Sequence, residues 1–336
     1  MSKATAVAHS NLAFVKYWGK IDETLNLPLN SSISMTLSNA KTTTTVRFDE
    51  DLPHDQVIVA GQAQNAEGRF AQRISQHLDR IRALANVQTP AEVITENTFP
   101  VSAGFASSAS GLAALSLAGS AALNLNLSER DLTILARRGS GSASRSIPAG
   151  FVEWYAAQTS EDSYAEQIAP PEHWDIRDVA VIVSNEEKSV SSSLGHKLAQ
   201  ESPFWESRQP LLPKRLETVR QAIQERDFET FGRELEAEAI SMHAIALTSS
   251  YSTNGHWHSG IYYWTPDTLE LLIAVQQWRQ DGIPVYFTLD AGPTVHLICP
   301  AEYEAQITAA VQAVQGNRNW STLVNAPAPG AYLLNE

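Results

Sequence analysis

A lone aspartate that closes an apolar strand is well placed to act as a base, and this chain carries one. Residues 284–295 read P-V-Y-F-T-L-D-A-G-P-T-V, with Asp290 between the apolar run and Ala-Gly-Pro. A carboxylate there can be desolvated and held rigidly, as a general base requires, although an Asp at that place also serves as a turn initiator. A second segment, N-L-A-F-V-K-Y-W-G-K at 11–20, ends an apolar run in Lys16 and adds Lys20 four residues on. A buried ammonium needs an anionic partner, which a substrate carboxylate, a phosphate or an Asp would supply. Solvated lysines at a strand end are the plainer alternative. A third, G-S-G-S-A-S-R-S at 139–146, offers backbone N–H groups, hydroxyls and the fork of Arg145 to one anion, or else is a flexible linker. The fourth, P-V-S-A-G-F-A-S-S-A-S-G at 100–111, sets small residues around Gly104 before an Ala/Leu-rich helix. Its free N–H groups and positive dipole end suit phosphate oxygens, and the hydroxyls of Ser107 and Ser108 could ligate Mg²⁺. Close packing of a helix start explains the same letters.

The remaining candidates are weaker. His256 and His258 stand two apart with no third ligand implied, so no zinc site is expected. His243 falls in a helical run, where a structural role is expected.

These segments need elements to hold them. Strand-like runs rich in β-branched and aromatic residues fall at 42–48, 56–60, 91–95, 179–183, 284–289 and 295–299. Helical patterns fall at 66–83, 107–122, 129–138, 211–225, 228–246, 266–280 and 301–314. Ser128 with Asp131 predicts a capping box, and Gly139 after Arg137 and Arg138 predicts a helix end. Helices and strands are mixed rather than strictly alternating, which predicts an α+β fold. The stretch 249–264 is polar and aromatic without periodicity and reads as a surface loop or lid. The 336 residues suit two fused domains, placed at 1–185 and 186–336.

A net charge of −13 excludes a broad basic nucleic-acid face, so cations for an anionic ligand must be concentrated locally. The single cysteine, Cys299, rules out an intrachain disulfide and sits in an apolar run that predicts a buried, inert thiol. No membrane span or secretion signal is read, and a cytoplasmic location is expected.

Taken together and in order, the four segments resemble the mevalonate diphosphate decarboxylase family, a branch of the galactokinase, homoserine kinase, mevalonate kinase and phosphomevalonate kinase superfamily. The resemblance rests on K-Y-W-G-K at 16–20, L-N-L-P-L-N-S-S-I-S at 25–34, A-G-F-A-S-S-A at 103–109, R-R-G-S-G-S-A-S-R-S at 137–146 and D-A-G-P at 290–293. It implies an N-terminal α/β domain with a phosphate loop, a C-terminal ferredoxin-like domain and a site in the cleft between them. It implies that ATP phosphorylates the C3 hydroxyl of a phosphorylated mevalonate, after which phosphate and CO2 depart. Asp290 would act on that hydroxyl, Lys16 would stabilise the transferred phosphoryl group, and Arg145 would grip the carboxylate. Tyr17, Lys20, Ser140, Gly141, Ser142 and Ser144 would bind the rest of the substrate. Gly104, Ala106, Ser107, Ser108 and Ala109 would hold ATP phosphates with Mg²⁺, with Ser107 its candidate ligand, and Thr95 and Asn97 would take the nucleoside. A homodimer is implied as well.

The pattern departs from the family in an insertion rich in Tyr, Trp and His near 249–264, at Phe105 where Leu is usual, and at three further positions. Ser193 stands where relatives carry Arg or Thr, His196 where Met is usual, and Thr294 where Asn is common. A neutral Ser meets less negative charge than Arg does. Ser193 and His196 therefore suit mevalonate 5-phosphate, giving isopentenyl phosphate. The alternatives are the same reaction on mevalonate 5-diphosphate, and a 3-kinase that stops before decarboxylation.

Overall fold

The computed structural model describes residues 2–99, 107–184, 186 and 188–334, and shows a two-domain α+β architecture. Among the described residues the first sheet has eight strands. Its main path runs Tyr332–Leu333, Ser2–Val15, Ser32–Phe48, Ala91–Asn97, Gln56–Val59 and Gln62–Ala63, and Phe151–Trp154 with Ala165–Ala169 branch from the start of Ser32–Phe48. The second sheet orders Tyr286–Thr288, Val295–Pro300, Ile176–Ile182 and Ser321–Asn325. The strand Ile176–Ile182 thus belongs to the second sheet. Divided by sheet membership, the chain crosses between residues 169 and 176, ahead of the expected boundary at 185.

Why these residues form these elements is clearest in two helices. Ser107–Ala122 has no polar face and is almost wholly buried, as expected of a helix covered on all sides. Its Ala, Gly and Ser residues allow close approach: a Cβ on Gly119 would meet the Ile81 side chain at 2.7 Å. Pro266–Gln280 begins with Thr265, whose hydroxyl accepts from the Thr268 amide while Thr268 reaches back to the Thr265 amide. Pro266 in the first turn gives up no intrahelical bond. At Ser128 the expected cap is present, but the Asp131 carboxylate takes the serine hydroxyl proton at 2.7 Å. The longer Glu of a full box would reach the backbone amide instead.

One core joins the two sheets. Leu12, Phe14, Met35 and Phe151 from the first sheet pack with Ile176, Ile182 and Ile298 from the second, through Leu216, Phe231 and Leu235 of the helices Leu212–Glu225 and Phe228–Thr248. Phe14 and Phe231 meet edge to face at 4.8 Å, an arrangement that adds about 0.5–1.5 kcal/mol to burial. Separate cores line the other faces, one under Arg69–Ala85, Ser107–Ala122 and Glu129–Gly139, the other under Pro266–Gln280 and Glu304–Gln315. Cys299 is buried there and its thiol is pushed up to about 12 by desolvation, so it is inert as expected. After the second sheet, residues 326–333 return to the first: Ala326 accepts from the Ser38 amide, Ala328 from Gly150, and Leu333 pairs with Ala6.

Several elements go beyond expectation, among them Phe151–Trp154, Ala165–Ala169, Ser192–Leu198 and Ser321–Asn325, and two further differences have a plain physical reason. The strand Ser2–Val15 reads weakly in sequence because residues 7–15 are buried on both faces, with Ala, His, Ser and Asn breaking the alternation. Residues 249–264, read as a loop or lid, contain a short hairpin in which Tyr251 stacks on its cross-strand partner His258 at 4.6 Å. No helix among the described residues is long and apolar enough to cross a membrane.

Candidate active site

Lys16 is the first residue past the strand Ser2–Val15, and its side chain is 2% exposed. Its Nζ donates to the Ala13 carbonyl at 2.7 Å and to Asp290 Oδ1 at 2.8 Å. Two of the three ammonium protons are thereby committed, and the third is left for a ligand. Asp290 lies just past the strand Tyr286–Thr288 and is a quarter exposed. Burial alone would raise its carboxyl, but the charge and hydrogen bond of Lys16 outweigh it and hold the group below the usual value. Asp290 is therefore ionised at neutral pH, the state a base needs.

Arg145 comes from the 3₁₀ turn Gly141–Ser146 and is 3% exposed. Its Nε donates to Asn11 Oδ1 at 3.2 Å and its Nη1 to Ser32 Oγ at 2.6 Å. Neither partner is charged, and among the described residues it makes no ion pair. Desolvation lowers its pKa to about 10, with Asp290 and Tyr17 opposing. It is a buried cation oriented by neutral groups, suited to an incoming carboxylate.

Lys16, Asp290 and Arg145 line one cavity of about 320 Å³. Tyr17, Lys20, Ser140, Gly141, Ser142, Ser193 and His196 line it too, so most of the predicted residues converge. Gly141 is required where it stands, because a Cβ would meet the Tyr17 ring at 2.7 Å and Trp154 at 2.9 Å. Lys20 is held by Asn26 Oδ1 at 2.8 Å and Glu23 Oε2 at 3.1 Å.

His196 is neutral. Burial, and then Lys20 and Arg145, push its pKa down to about 3. Its Nδ1 accepts from the Gly19 amide at 3.0 Å, so the proton sits on Nε2, and the ring lies against Tyr17 and Trp18. Ser144 is the exception among the predicted substrate-binding residues. It is buried outside the cavity, with its hydroxyl turned back onto the Gly141 carbonyl at 2.8 Å, which closes the 3₁₀ turn.

A second cavity of about 360 Å³ is lined by Thr95, Asn97, Ser107 and Ser108 among more apolar side chains. Ala109 is buried in the first turn of the helix and lines neither cavity. Gly104 and Ala106 lie outside the described residues. Ser108 belongs to both cavities, and its hydroxyl meets that of Ser140 at 3.2 Å. Among the described residues no group of three His, Cys, Asp or Glu side chains could hold a metal. The donor set fits a magnesium ion carried mainly by nucleotide phosphates.

Sequence reasoning assigned no role to Arg73 and Lys188, both on the wall of the first cavity. Arg73 also reaches the second cavity and donates to the Gly139 carbonyl at 2.9 Å. Lys188 donates to the Ala291 carbonyl, beside Asp290, and burial lowers its pKa with Asp290 opposing. Arg73 looks in sequence like one more cation on an amphipathic helix, so no local signal sets it apart.

Comparison with known proteins agrees with this geometry. Residues 8–165 match the family described as the diphosphomevalonate decarboxylase-like N-terminal domain, and residues 179–330 match the mevalonate 5-diphosphate decarboxylase C-terminal domain. A diphosphomevalonate decarboxylase of Candida albicans is 32% identical, covering 98% of this chain and 94% of its own. A phosphomevalonate decarboxylase of Haloferax volcanii is also 32% identical, over 92% of each. Among solved structures, MDDEF in complex with MVAPP, AMPPCP and magnesium superposes with a TM-score of 0.90 at 35% identity, covering 100% of this chain and 99% of that one.

Proposed function

Given that the chain belongs to the diphosphomevalonate decarboxylase family, we propose that it decarboxylates mevalonate 5-diphosphate at the expense of ATP, giving isopentenyl diphosphate. The ATP-dependent carboxy-lyase activity follows from the family. The substrate and the residue roles are this reading's own. The observation that carries them is the meeting of Asp290, Lys16 and Arg145 on one cavity, joined through Ser108 to a second cavity.

Asp290 takes the proton of the C3 hydroxyl as the hydroxyl oxygen attacks the γ-phosphorus of ATP, whose bond to the β-phosphate oxygen breaks to release ADP. The free proton of Lys16 faces the charge that develops on the phosphoryl oxygens. Arg145 holds the substrate carboxylate. The C3–O bond then breaks and phosphate leaves. The C1–C2 bond breaks with it, its electron pair forms the C2=C3 double bond, and C1 departs as CO2. Thr95 and Asn97 take the nucleoside end, and Ser107 and Ser108 the phosphates. Ser107 would help hold magnesium, which would supply neutralisation of phosphate charge.

Support for the diphosphate comes from the relatives named for it and from Lys20 and Arg73 on the cavity wall. A second reading, mevalonate 5-phosphate as substrate, is favoured by one observation. The helix Ser192–Leu198 presents Ser193 and an uncharged His196 to the cavity, and the Haloferax relative is equally identical. Measuring kcat/KM for both substrates decides between them. The proposal expects a preference for the diphosphate of roughly 10-fold or more, about what one well-met charge contributes, and a preference for the monophosphate overturns it. CO2 release equal to ADP release excludes a kinase that stops at C3. A cytoplasmic homodimer is the form this reading expects, and sedimentation of the purified protein checks the assembly.

A further inference from the structure

Glu238 lies outside the cavity on the helix Phe228–Thr248 and is completely buried. Its Oε1 accepts the Lys16 backbone N–H at 3.0 Å and a short bond from Arg208 Nη2. Its Oε2 accepts from Arg215 Nη1 at 2.6 Å. Two guanidiniums therefore enclose one carboxylate, and Arg208 leaves Nε and Nη1 buried without partners among the described residues. Replacing such a buried cluster by apolar side chains is often neutral or stabilising, so fold stability is a weak reason for it. What it fixes is a peptide group. The last ladder pair of the strand is Val15 with Ile33, and Lys16 is the first residue beyond it. Glu238 holds the Lys16 amide, and Asn30 Nδ2 holds its carbonyl at 2.9 Å. One helix thus fixes the main chain from which the Lys16 side chain reaches Asp290.

We infer that Glu238 is a positioning residue that aligns the Lys16 ammonium with Asp290. The inference rests on the role given to Lys16 above. Without the carboxylate, the peptide before Lys16 can turn, and misplacing a reacting group by about 1 Å costs up to about 100-fold in rate.

The test is a double-mutant cycle of Glu238→Gln and Lys16→Met, with kcat and the KM for ATP measured for each. Glu238→Gln is expected to lower kcat on the order of 10- to 100-fold, with KM for ATP within about 2-fold. Combined with Lys16→Met, it is expected to add nothing to the loss from Lys16→Met alone, because it acts through that side chain. A kcat for Glu238→Gln within about 2-fold of the parent overturns the inference. So does a loss that multiplies in full onto that of Lys16→Met, the mark of a merely structural effect. A fully active Lys16→Met would overturn the role of Lys16 itself and this inference with it. If thermal melting shows Glu238→Gln to be unfolded, Glu238→Gln/Arg208→Met removes the surplus guanidinium and enters the same cycle with the same outcomes.

Discussion

Replacing Arg145 by Met separates what this residue does for the reaction from what it does for the fold. The residue is 3% exposed, and among the described residues its hydrogen-bond partners are Asn11 and Ser32. The drop in its pKa from 12.5 to about 10 corresponds to roughly 3 kcal/mol of unfavourable charge burial at about 1.4 kcal/mol per tenfold. That cost is present at neutral pH, where the group is charged both folded and unfolded. Methionine removes the cost but also loses two hydrogen bonds from a charged donor, each worth about 1.5 kcal/mol. The two contributions nearly cancel. The Tm of Arg145→Met is therefore expected within roughly 3 °C of the parent, since 1 kcal/mol moves the Tm of a domain this size by about 2–4 °C. The reaction has no such compensation. Losing two charge-assisted bonds to the substrate carboxylate, at about 1.5–3 kcal/mol each, lowers kcat/KM on the order of 10² to 10⁴. Calorimetry and coupled ADP and CO2 assays measure the two sides. A Tm loss above roughly 10 °C would show Arg145 to be a fold residue, and kcat/KM within about 3-fold of the parent would remove it from the reaction.

Two further outcomes follow from the geometry. His77, His196 and His243 are held neutral by burial, each lowered from 6.5 to about 3. A depressed folded pKa contributes stability that is present above the unfolded value and lost as pH falls, so Tm is expected to decline from about pH 6.5 toward pH 3–4; a Tm flat from pH 7 to 4 would contradict the neutral assignment. Gly141→Ala drives a methyl into the Tyr17 ring and is expected to raise KM for the phosphorylated mevalonate about 10-fold or more with kcat less affected, from a displacement of under 1 Å; an unchanged KM would mean that Tyr17 yields at no cost.

How much could be read from the letters depended on whether a residue's partners were local. The helix Ser107–Ala122 ends where its Ala/Leu run does, and Pro266–Gln280 is framed by its own cap and proline. Asp290 and Lys16 were legible because each ends an apolar run, a local pattern that already implies a desolvated charge. That they meet at 2.8 Å is a fact about residues far apart in the chain, and only the resemblance pointed to it. Asn11 and Ser32, which aim Arg145, carried no signal, because each is an ordinary polar residue within a strand. Ser144 failed for the opposite reason. It belongs to a Ser-rich run that looks uniform in sequence, yet a 3₁₀ turn faces alternate serines to different sides. The boundary at 185 was set at the end of a strand, whereas sheet membership depends on pairing with residues more than a hundred positions later.

The return of residues 326–333 to the first sheet bears on how the polypeptide acquires its shape as it is made. These residues cover the Ser2–Val15 edge and bond to Ser38 and Gly150, yet they follow the whole second half in the order of synthesis. While a ribosome is still translating the second half, the first has an open strand edge and an unfinished core. Contacts that close such long loops form late, and an uncovered edge invites pairing between nascent chains. A first half that settles before the second appears thus leaves this edge bare, and the yield in a cell should depend on how well it is shielded until residues 326–333 have emerged.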